Sequence, residues 1–386
     1  MLYQSFLYNF KRSMSQKNIL TPPLKLRKDF QLQKVMHYGC IDQDLQIFPF
    51  RDGTVKAFNK DNSILWQQTV SDEISELDRY EGSIIYHNDI VYVFFEDYVC
   101  TINYETGNII NKYKTTITHM LWHCVMYEDC IFSLNYENDD IDNIVFASID
   151  KKFNNYLWKR ELNNGYYSQG IALHNDTAII NDIDDQICAV NVVTGTDTWR
   201  RSLKDILREA GTTDWDMDCR TTRNVIIYKD LLVLPIFEHH FACLDLKDGT
   251  TKWAHKLDVR VTSDSAVYPD DRLYVLGNGL LYVIDIPTGE IVTRKNFEAE
   301  WDELQVYTPC MPAISDTTIF TADPMEGMLF AIDKESLEIT WHHRVRKGLS
   351  SAYGPIIVGD RLYAMGYSDE LYVFEEKRKK KQVGTY

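Results

Sequence analysis

The 386-residue chain contains few residues that interrupt folded structure and no long apolar run. It has 10 Pro and 18 Gly, too few for long flexible linkers. No segment approaches the roughly 18 apolar residues that a membrane-spanning helix needs. The first ten residues are interrupted by Gln4, Ser5 and Asn9 and lack a small-residue cleavage site, so we expect no secretory signal there. These absences predict a chain that is folded over most of its length, in the cytoplasm and without a membrane partner.

Cysteine occurs only at isolated positions. Eight Cys are present, and none forms a C-x-x-C pair or stands next to another. Most lie within apolar strand patterns, as Cys188 does between Ile187 and Ala189. A buried free Cys packs as a small apolar residue. We therefore expect these thiols to lie in the core of a protein from a reducing compartment.

Motifs for catalysis and metal binding are missing as well. The chain has no nucleophile elbow, P-loop or G-x-G-x-x-G sequence. The motif Asp214-x-Asp216-x-Asp218 alternates like a calcium loop, but it lacks the loop glycine and has Val225 where the twelfth position needs Glu. Residues 239–243 (His-His-x-x-Cys) and 119–123 (His-x-x-x-His) contain zinc-ligand types, yet we interpret them as strand residues that pack or face solvent. We predict no enzyme, no metal site and no cofactor.

The charge of the chain is negative and unevenly distributed. The formal net charge is −16 at pH 7. Residues 1–40 carry seven cations against one acid, and residues 375–386 carry five cations against two acids, so the body between them holds a net charge of −25. A field of this sign repels nucleic acid and speeds encounters with basic proteins. We predict a basic protein partner and no nucleic-acid partner.

The sequence does contain a repeated phrase: an apolar strand, an Asp or Asn, a turn, and a second strand that ends on Trp. Clear copies span residues 187–199, 241–253 and 329–341. A repeat of 40–50 residues with four short strands is typical of a propeller blade. Successive Asp or Asn positions are 40–54 residues apart, at Asn59, Asn103, Asp150, Asn191, Asp245, Asp285 and Asp333, with a weaker eighth copy ending at Glu375.

Eight repeats predict an all-β, eight-bladed β-propeller of four-stranded antiparallel blades, with seven blades as the alternative. The last repeat has only three clear strands, so we expect the segment between Ile19 and Leu32 to supply the fourth and close the ring, which removes an exposed sheet edge. The predicted organisation is a basic N-terminal extension with the ring-closing strand (1–32), the propeller (33–376) and a basic C-terminal tail (377–386).

The repeat resembles that of the pyrroloquinoline-quinone-like (quinoprotein-type) β-propellers, whose phrase is Tyr-x-Ala-Leu-Asp, a Thr-Gly turn and a strand ending in Trp. The resemblance covers about residues 34–376 and implies that each terminal Trp docks between adjacent blades. The residues at this position are Trp66, Trp158, Trp199, Trp253 and Trp341, with Asn111 and Thr293 in two weaker copies.

Two branches of that family imply different functions. Quinone-dependent dehydrogenases are longer and hold their cofactor over a vicinal Cys pair, which this chain lacks. The non-catalytic branch includes the barrel-assembly lipoprotein of the bacterial outer membrane, and this chain resembles that branch in length and in its lack of catalytic insertions. The lipidated Cys of that lipoprotein is missing here, so the resemblance is stronger evidence for the fold than for the function.

The predicted blades divide their loops between two faces. Loops between second and third strands share one face with the blade-to-blade connections, and these loops are rich in acids. Two connections embed a Trp among carboxylates, as interface hot spots do; a solvated acidic surface with each indole packed beneath its own loop is the alternative. The predicted partner-binding residues are Asp139, Asp140, Asp142, Asp184, Asp185, Asp214, Trp215, Asp216, Asp218, Glu298, Glu300, Trp301, Asp302 and Glu303.

These observations favour a non-enzymatic scaffold, monomeric on its own, that binds a basic protein through its acidic loop face. A toxin-neutralising, immunity-type protein is one concrete form of this hypothesis. The alternative is a quinone-binding or other small-ligand-binding protein, or a quinoprotein dehydrogenase-like enzyme, that uses the central channel. Stabilisation by quinone with Ca²⁺ distinguishes the two, because a ligand that binds only the folded state raises its stability.

Overall fold

The computed structural model describes residues 20–32, 39–41, 45–50, 52–70, 84–94, 98–114, 120–137, 140–163, 171–182, 185–211, 219, 221, 225–236, 239–258, 266–268, 270–277, 279–300, 312–345, 348–349, 354–366 and 370–376. Within these residues, strands β1 to β32 form eight four-stranded sheets. The protein is an all-β, eight-bladed β-propeller of four-stranded antiparallel blades. The predicted fold is confirmed, and the seven-bladed alternative is wrong.

Blades 1–5 belong to a first compact unit, whose described residues lie within Lys34–Arg260 and Asp285–Glu290. In each blade four consecutive strands pair in chain order. Blade 1 contains β2 (Cys40–Ile41), β3 (Leu45–Pro49), β4 (Thr54–Asn59) and β5 (Ile64–Thr69). Blade 2 contains β6 (Ile84–His87), β7 (Ile90–Phe94), β8 (Tyr98–Asn103) and β9 (Ile109–Lys114). Blade 3 contains β10 (Met120–Tyr127), β11 (Cys130–Glu137), β12 (Asp140–Ile149) and β13 (Tyr156–Asn163).

The remaining two blades of this unit are joined by a short helix. Blade 4 contains β14 (Ala172–His174), β15 (Thr177–Asp182), β16 (Gln186–Asn191) and β17 (Asp197–Ser202). Helix α1 (Leu203–Glu209) follows. Blade 5 contains β18 (Ile226–Tyr228), β19 (Leu231–Ile236), β20 (His240–Asp245) and β21 (Thr251–Lys256).

Blades 6–8 belong to a second compact unit, made from Met14–Gln33, Val261–Ile284 and Ile291–Tyr386. Blade 6 contains β22 (Ala266–Tyr268), β23 (Arg272–Gly277), β24 (Leu280–Asp285) and β25 (Ile291–Asn296). Blade 7 contains β26 (Ala313–Ile314), β27 (Thr318–Asp323), β28 (Met328–Asp333) and β29 (Ile339–Arg344). Blade 8 contains β30 (Ile356–Val358), β31 (Arg361–Met365), β32 (Glu370–Glu376) and, from the N-terminal segment, β1 (Leu24–Gln31).

Blade 8 is completed by an antiparallel pairing between the two ends of the described chain. β1 pairs with β32 over its length, from Leu24 opposite Glu376 to Gln31 opposite Glu370. The Glu375 carboxylate accepts hydrogen bonds from Arg27 at 2.6 Å and from Arg361 at 2.8 Å. The expected closing strand is therefore present between Leu24 and Gln31, whereas residues 377–386 lie outside the described residues.

The Asp or Asn of each repeat ends the third strand and stabilises the turn to the fourth. The Asn191 Oδ1 accepts hydrogen bonds from the backbone N–H groups of Val193 and Thr194, both at 3.0 Å. A short acceptor side chain is required here because it must reach N–H groups two and three residues ahead. The same kind of bond recurs at Asn59, Asn103, Asp150, Asp245, Asp285 and Asp333.

The fourth strands of blades 1–7 carry a β-bulge at their second residue. In blade 1, Ile64 pairs with Phe58 and Trp66 with Ala57, which leaves Leu65 without an opposite residue. A bulge of this kind redirects the extra side chain and increases the local twist. The bulge residues, in blade order, are Leu65, Ile110, Leu157, Thr198, Lys252, Val292 and Thr340.

The Trp after the bulge packs against the next blade. The Trp199 Nε1 donates a 2.9 Å hydrogen bond to the carbonyl of Leu246 in blade 5, and its ring fills the space beside Gly249. The same contacts join Trp66 to Tyr104 and Gly107, Trp158 to Val192 and Gly195, and Trp253 to Ile286 and Gly289. Trp341 instead stacks on His343 and meets the Phe374 ring of blade 8 edge-on.

Among blades 1–7, two lack this Trp, and the turn in the following blade lacks the glycine. Asn111 occupies the Trp position of blade 2, and in the turn of the next blade the residue with a positive φ is Phe153, at 58°, three residues after Asp150. Phe153 is fully buried, with its ring 5.5 Å from that of Tyr113 in blade 2. The same replacement occurs between blades 6 and 7, where Thr293 occupies the Trp position and Leu337, at φ 56°, occupies the glycine position. At these junctions the large side chain comes from the opposite blade.

Candidate functional site

At one end of a blade, the loop between the second and third strands lies beside the connection that leaves the fourth strand. In five blades the first residue of that connection is buried and apolar, and its N–H donates to a carbonyl of the loop at 2.7–2.9 Å. We call this end of each blade the connector face. The donor and acceptor residues are Val70 and Gly53, Leu203 and Asp185, Leu257 and His239, Phe297 and Gly279, and Val345 and Gly327.

The predicted partner-binding residues are only partly covered by the described residues. Asp185, Glu298 and Glu300 are described in full and lie on the connector faces of blades 4 and 6. Asp140 and Asp142 lie at the start of β12, after the loop between the second and third strands of blade 3. Asp139, Asp184, Asp214, Trp215, Asp216, Asp218, Trp301, Asp302 and Glu303 lie outside the described residues.

Glu298 and Glu300 follow Phe297 in the connection that leaves blade 6. The Glu298 N–H donates to the Asn296 Oδ1 at 2.7 Å, which holds the backbone while the side chain stays exposed. The Glu300 carboxylate lies 3.5 Å from the Lys295 ammonium, with 46% of the side chain exposed. An exposed pair of this kind contributes little to stability, so both carboxylates are accessible to a partner.

The acids of the blade 4 connector face are more strongly paired. Asp185 contacts the Lys204 ammonium of α1 at 2.9 Å. Asp182 ends β15 and leads into the acidic loop of blade 4; its side chain is 3% exposed and contacts Arg160 at 2.5 Å and Arg200 at 2.8 Å. Both arginines also contact Asp197. Asp182 therefore holds blade 3 against blade 4 and is not available to a partner.

The sequence marks such contacts by an Arg or His two residues after the Trp of the repeat. Arg160 reaches the acids of the next blade, the Arg201 guanidinium donates to the Gly249 carbonyl at 2.7 Å, and the His255 Nε2 lies 2.6 Å from the Gly289 carbonyl. The pattern Trp-x-Arg or Trp-x-His thus marks a second contact across the junction.

The insertion between blades 4 and 5 is fixed on both sides of its acidic, Trp-containing segment. Before that segment, α1 buries Leu203, Ile206 and Leu207, and its last residue, Glu209, accepts bonds from Arg201 and Thr251 at 2.7 Å each. These two partners lower the pKa of Glu209, the Thr251 hydroxyl contributing most. After the segment, Cys219 is buried and Thr221 pairs with Ile236 of β19.

The connector face of blade 7 carries an exposed Met that is not among the predicted partner-binding residues. Met325 is 78% exposed, in the loop between β27 and β28. This loop is rigid: the Pro324 carbonyl accepts from the N–H groups of Gly327 and Leu349 at 3.3 and 3.1 Å, and the Arg344 guanidinium donates to the Glu326 carbonyl at 3.1 Å. The loop therefore presents an apolar side chain next to a carboxylate.

Other chemistry is limited among the described residues. No group of three or more His, Cys, Asp or Glu side chains in this part of the chain is arranged to hold a metal ion. The described cysteines are free thiols, and burial raises the pKa of Cys100 to about 11 and that of Cys124 to about 12. No described helix has the length and apolar character to cross a membrane.

Comparison with solved structures identifies the same architecture in proteins of different function. BamB from Moraxella catarrhalis is 14% identical, with a TM-score of 0.64 over 91% of this chain and 99% of that one. A europium-containing methanol dehydrogenase is 13% identical, with a TM-score of 0.62 over 95% and 87%. The C-terminal WD40 domain of Sif2 is 11% identical, with a TM-score of 0.64 over 92% and 98%. At these identities the likeness shows the fold alone.

Comparison by sequence is more specific. No curated protein matches the chain. A family model does match, over residues 30–201 and 238–379, and its description is outer membrane protein assembly factor BamB. These two ranges include most of the eight blades. The chain belongs to this family of PQQ-like β-propellers, typified by the assembly factor BamB.

Proposed function

We propose that this propeller is a non-enzymatic scaffold that binds a basic protein through its acidic connector faces. The observation that carries the proposal is the combination of a fixed backbone with exposed carboxylates at Glu298 and Glu300. Phe297, immediately before them, is fully buried and bonded to Gly279, so the carboxylates are presented from a rigid base. Such preorganisation lowers the entropy lost on binding.

The charge of the chain supports a basic partner. Because the body carries a net charge of −25, a basic protein gains long-range attraction before contact. The described acids of blade 4 are neutralised by Arg160, Arg200 and Lys204, so the proposal assigns the interaction chiefly to the connection that leaves blade 6. Trp301 in that connection and Met325 in blade 7 are the apolar residues that the proposal adds to the charged contacts.

Family membership supports binding over catalysis, since the description of the family names an assembly factor. The methanol dehydrogenase neighbour shares the fold, and one fold hosts unrelated functions. The specific form of the proposal that needs the fewest further assumptions is neutralisation of a basic toxin, such as a nuclease. An acidic protein can cover the basic active-site cleft of such a toxin.

The test is isolation of the tagged protein from the cells that make it, with a salt-step elution. We expect one predominant basic protein to be retained at low salt and released at high salt, since screening weakens exposed charge pairs. A small molecule without any protein in the eluate would contradict the proposal. If the partner is a nuclease, inhibition of its activity by the added propeller tests the toxin-neutralising form.

A further inference from the structure

Exposed apolar side chains are concentrated on the fourth strands of blades 1–3. Five of the nine large apolar side chains that are exposed among the described residues lie there, and each is 41–55% exposed. We call these five residues the edge patch: Ile64, Leu65, Ile109, Ile110 and Leu157.

The three strands of the edge patch belong to successive blades that side-chain contacts join. Trp66, next to Leu65, lies against Gly107, two residues before Ile109. On the other side, Tyr113 of β9 contacts Phe153, four residues before Leu157. These contacts link the three successive blades, and β5, β9 and β13 each have only one neighbouring strand in their sheets. Exposed apolar side chains that are gathered on neighbouring edge strands mark interaction sites.

The fold itself does not require apolar residues at these positions. The bulge residues of blades 4 and 7 are Thr198 and Thr340, whose hydroxyls donate to the Ala189 and Ala331 carbonyls at 3.1 and 3.5 Å. In blade 5 the bulge residue is Lys252, paired with Asp245 at 3.0 Å. Polar residues thus satisfy the same bulge in blades 4, 5 and 7, whereas blade 6 has the apolar Val292 there. The bulge itself does not require an apolar residue, so Leu65, Ile110 and Leu157 point to a role beyond the blade.

The charges beside the edge patch identify the kind of occupant. Lys112, Lys114 and Lys159 are exposed on the same strands, against one exposed acid, Glu161, in a chain whose net charge is −16. The two basic ends of the chain would be repelled by these lysines. A second copy docked through the same patch would place like charges opposite each other, because a two-fold interface repeats each surface. The lysines favour an acidic occupant.

We propose that the edge patch binds a segment of a partner protein in which two or more apolar residues are flanked by Asp or Glu. The apolar side chains cover Leu65, Ile110 and their neighbours, and the acidic flanks contact Lys112 and Lys114. This site is separate from the connector face and has the opposite charge preference, so it does not depend on the function proposed above.

The experiment is selection of a random 12-residue peptide library, displayed on phage, on the full-length protein. The affinity of enriched peptides is then measured for three variants: Leu65→Gln with Ile110→Gln, Lys112→Glu with Lys114→Glu, and Val292→Gln. The last is the matched control, because Val292 is the bulge residue of blade 6, is 45% exposed and lies outside the three strands of the patch. Thermal unfolding verifies that each variant folds.

We expect enriched peptides with apolar residues flanked by acids. Their dissociation constants should rise at least tenfold for the Leu65 and Ile110 variant and at least threefold for the lysine variant, with no change for Val292→Gln. The proposal is overturned if no peptide family is enriched, if the enriched peptides are basic, or if they bind the Leu65 and Ile110 variant as tightly as the wild type.

Discussion

The indole of Trp66 lies so close to Gly107 of the next blade that a Cβ atom on Gly107 would come within 2.5 Å of the ring. The Trp66 Nε1 also donates a 3.0 Å hydrogen bond to the Tyr104 carbonyl in the same turn. Indole and glycine therefore form one unit across the blade junction. Where the indole is absent, at Asn111 and Thr293, the glycine is absent too, and Phe153 or Leu337 fills the junction from the other side.

The first prediction concerns the glycine of this unit. Gly107→Ala should lower the free energy of unfolding by about 1–3 kcal/mol more than Gly211→Ala. Both residues have a positive φ, of 72° and 74°, and so carry a similar backbone penalty. Only at Gly107 would the added Cβ clash with an indole, since nothing lies within 4 Å of a Cβ on Gly211. Overpacking of this kind costs about 1–3 kcal/mol. Urea unfolding of the two variants measures the difference, and equal losses would refute the steric account.

The second prediction tests the exchange between Trp and glycine directly. Asn111→Trp should destabilise the protein by about 1–3 kcal/mol because Phe153 already fills the junction. Phe153→Gly should cost about 3–5 kcal/mol through the lost buried ring. Combined, the two changes should cost less than their sum by about 0.5–3 kcal/mol. A double-mutant cycle from urea unfolding provides the test; strict additivity would mean that the two positions do not share one space.

The third prediction concerns the buried carboxylate between blades 3 and 4. Asp182→Asn should lower the free energy of unfolding by about 2–3 kcal/mol, because Arg160 and Arg200 lose the partner that balances their charges. This is below the 3–5 kcal/mol of a fully buried pair, since Arg200 is 40% exposed. Asp205→Asn is the control: its pair with Arg208 is 54% exposed on both sides and should contribute about 0.5 kcal/mol or less. Similar losses in both variants would contradict a special role for Asp182.

The fourth prediction is a pH dependence at the strand that completes blade 8. Burial would raise the pKa of Glu375, but the Arg27 hydrogen bond and the charges of Arg361 and Arg27 outweigh it, so the pKa lies below its ordinary value of 4.5. A carboxyl group with a lowered folded-state pKa stabilises the protein fully above its unfolded-state pKa, and this contribution is lost as the pH falls through the folded-state pKa.

Glu375→Gln should therefore be less stable than the wild type at pH 7, by about 1–2 kcal/mol. The two proteins should converge as the pH falls below 4.5. Urea midpoints at pH 7, 5, 4 and 3 measure the convergence. A difference that stays constant over this range would show that the carboxylate charge contributes nothing to the closure of blade 8.

The sequence predicted the features that depend on local, repeated chemistry. The Asp or Asn of each turn bonds residues two or three positions ahead, so it appears at the same place in every repeat, as Asn191 and Asp333 do. The strand from the N-terminal segment followed from counting strands, because three strands in the last repeat leave one edge uncovered. Both inferences need only the chain itself.

The features that were missed depend on contacts between blades. Nothing local distinguishes Phe153 from an ordinary turn residue, since its role follows from the missing Trp more than forty residues earlier. Asp182 ends the second strand of blade 4 and Met325 follows the second strand of blade 7, yet the Asp182 carboxylate is buried among arginines and Met325 is 78% exposed. Burial of this kind is decided by neighbouring blades. The cytoplasmic location, the domain limits and the roles of the predicted connection residues stay predictions.

The most direct test of the proposed function is the affinity of the isolated basic partner for two charge-reversed proteins. One carries Glu298→Lys and Glu300→Lys on the connector face of blade 6. The other carries Glu335→Lys and Glu338→Lys, two exposed acids in the turn before the fourth strand of blade 7, so the change in net charge is the same.

We predict that the first variant binds at least tenfold more weakly at low salt, with a smaller effect at high salt because screening weakens exposed charges, while the second binds like the wild type. Equal effects of the two variants, or no effect of either, would show that the partner does not dock on the connector face.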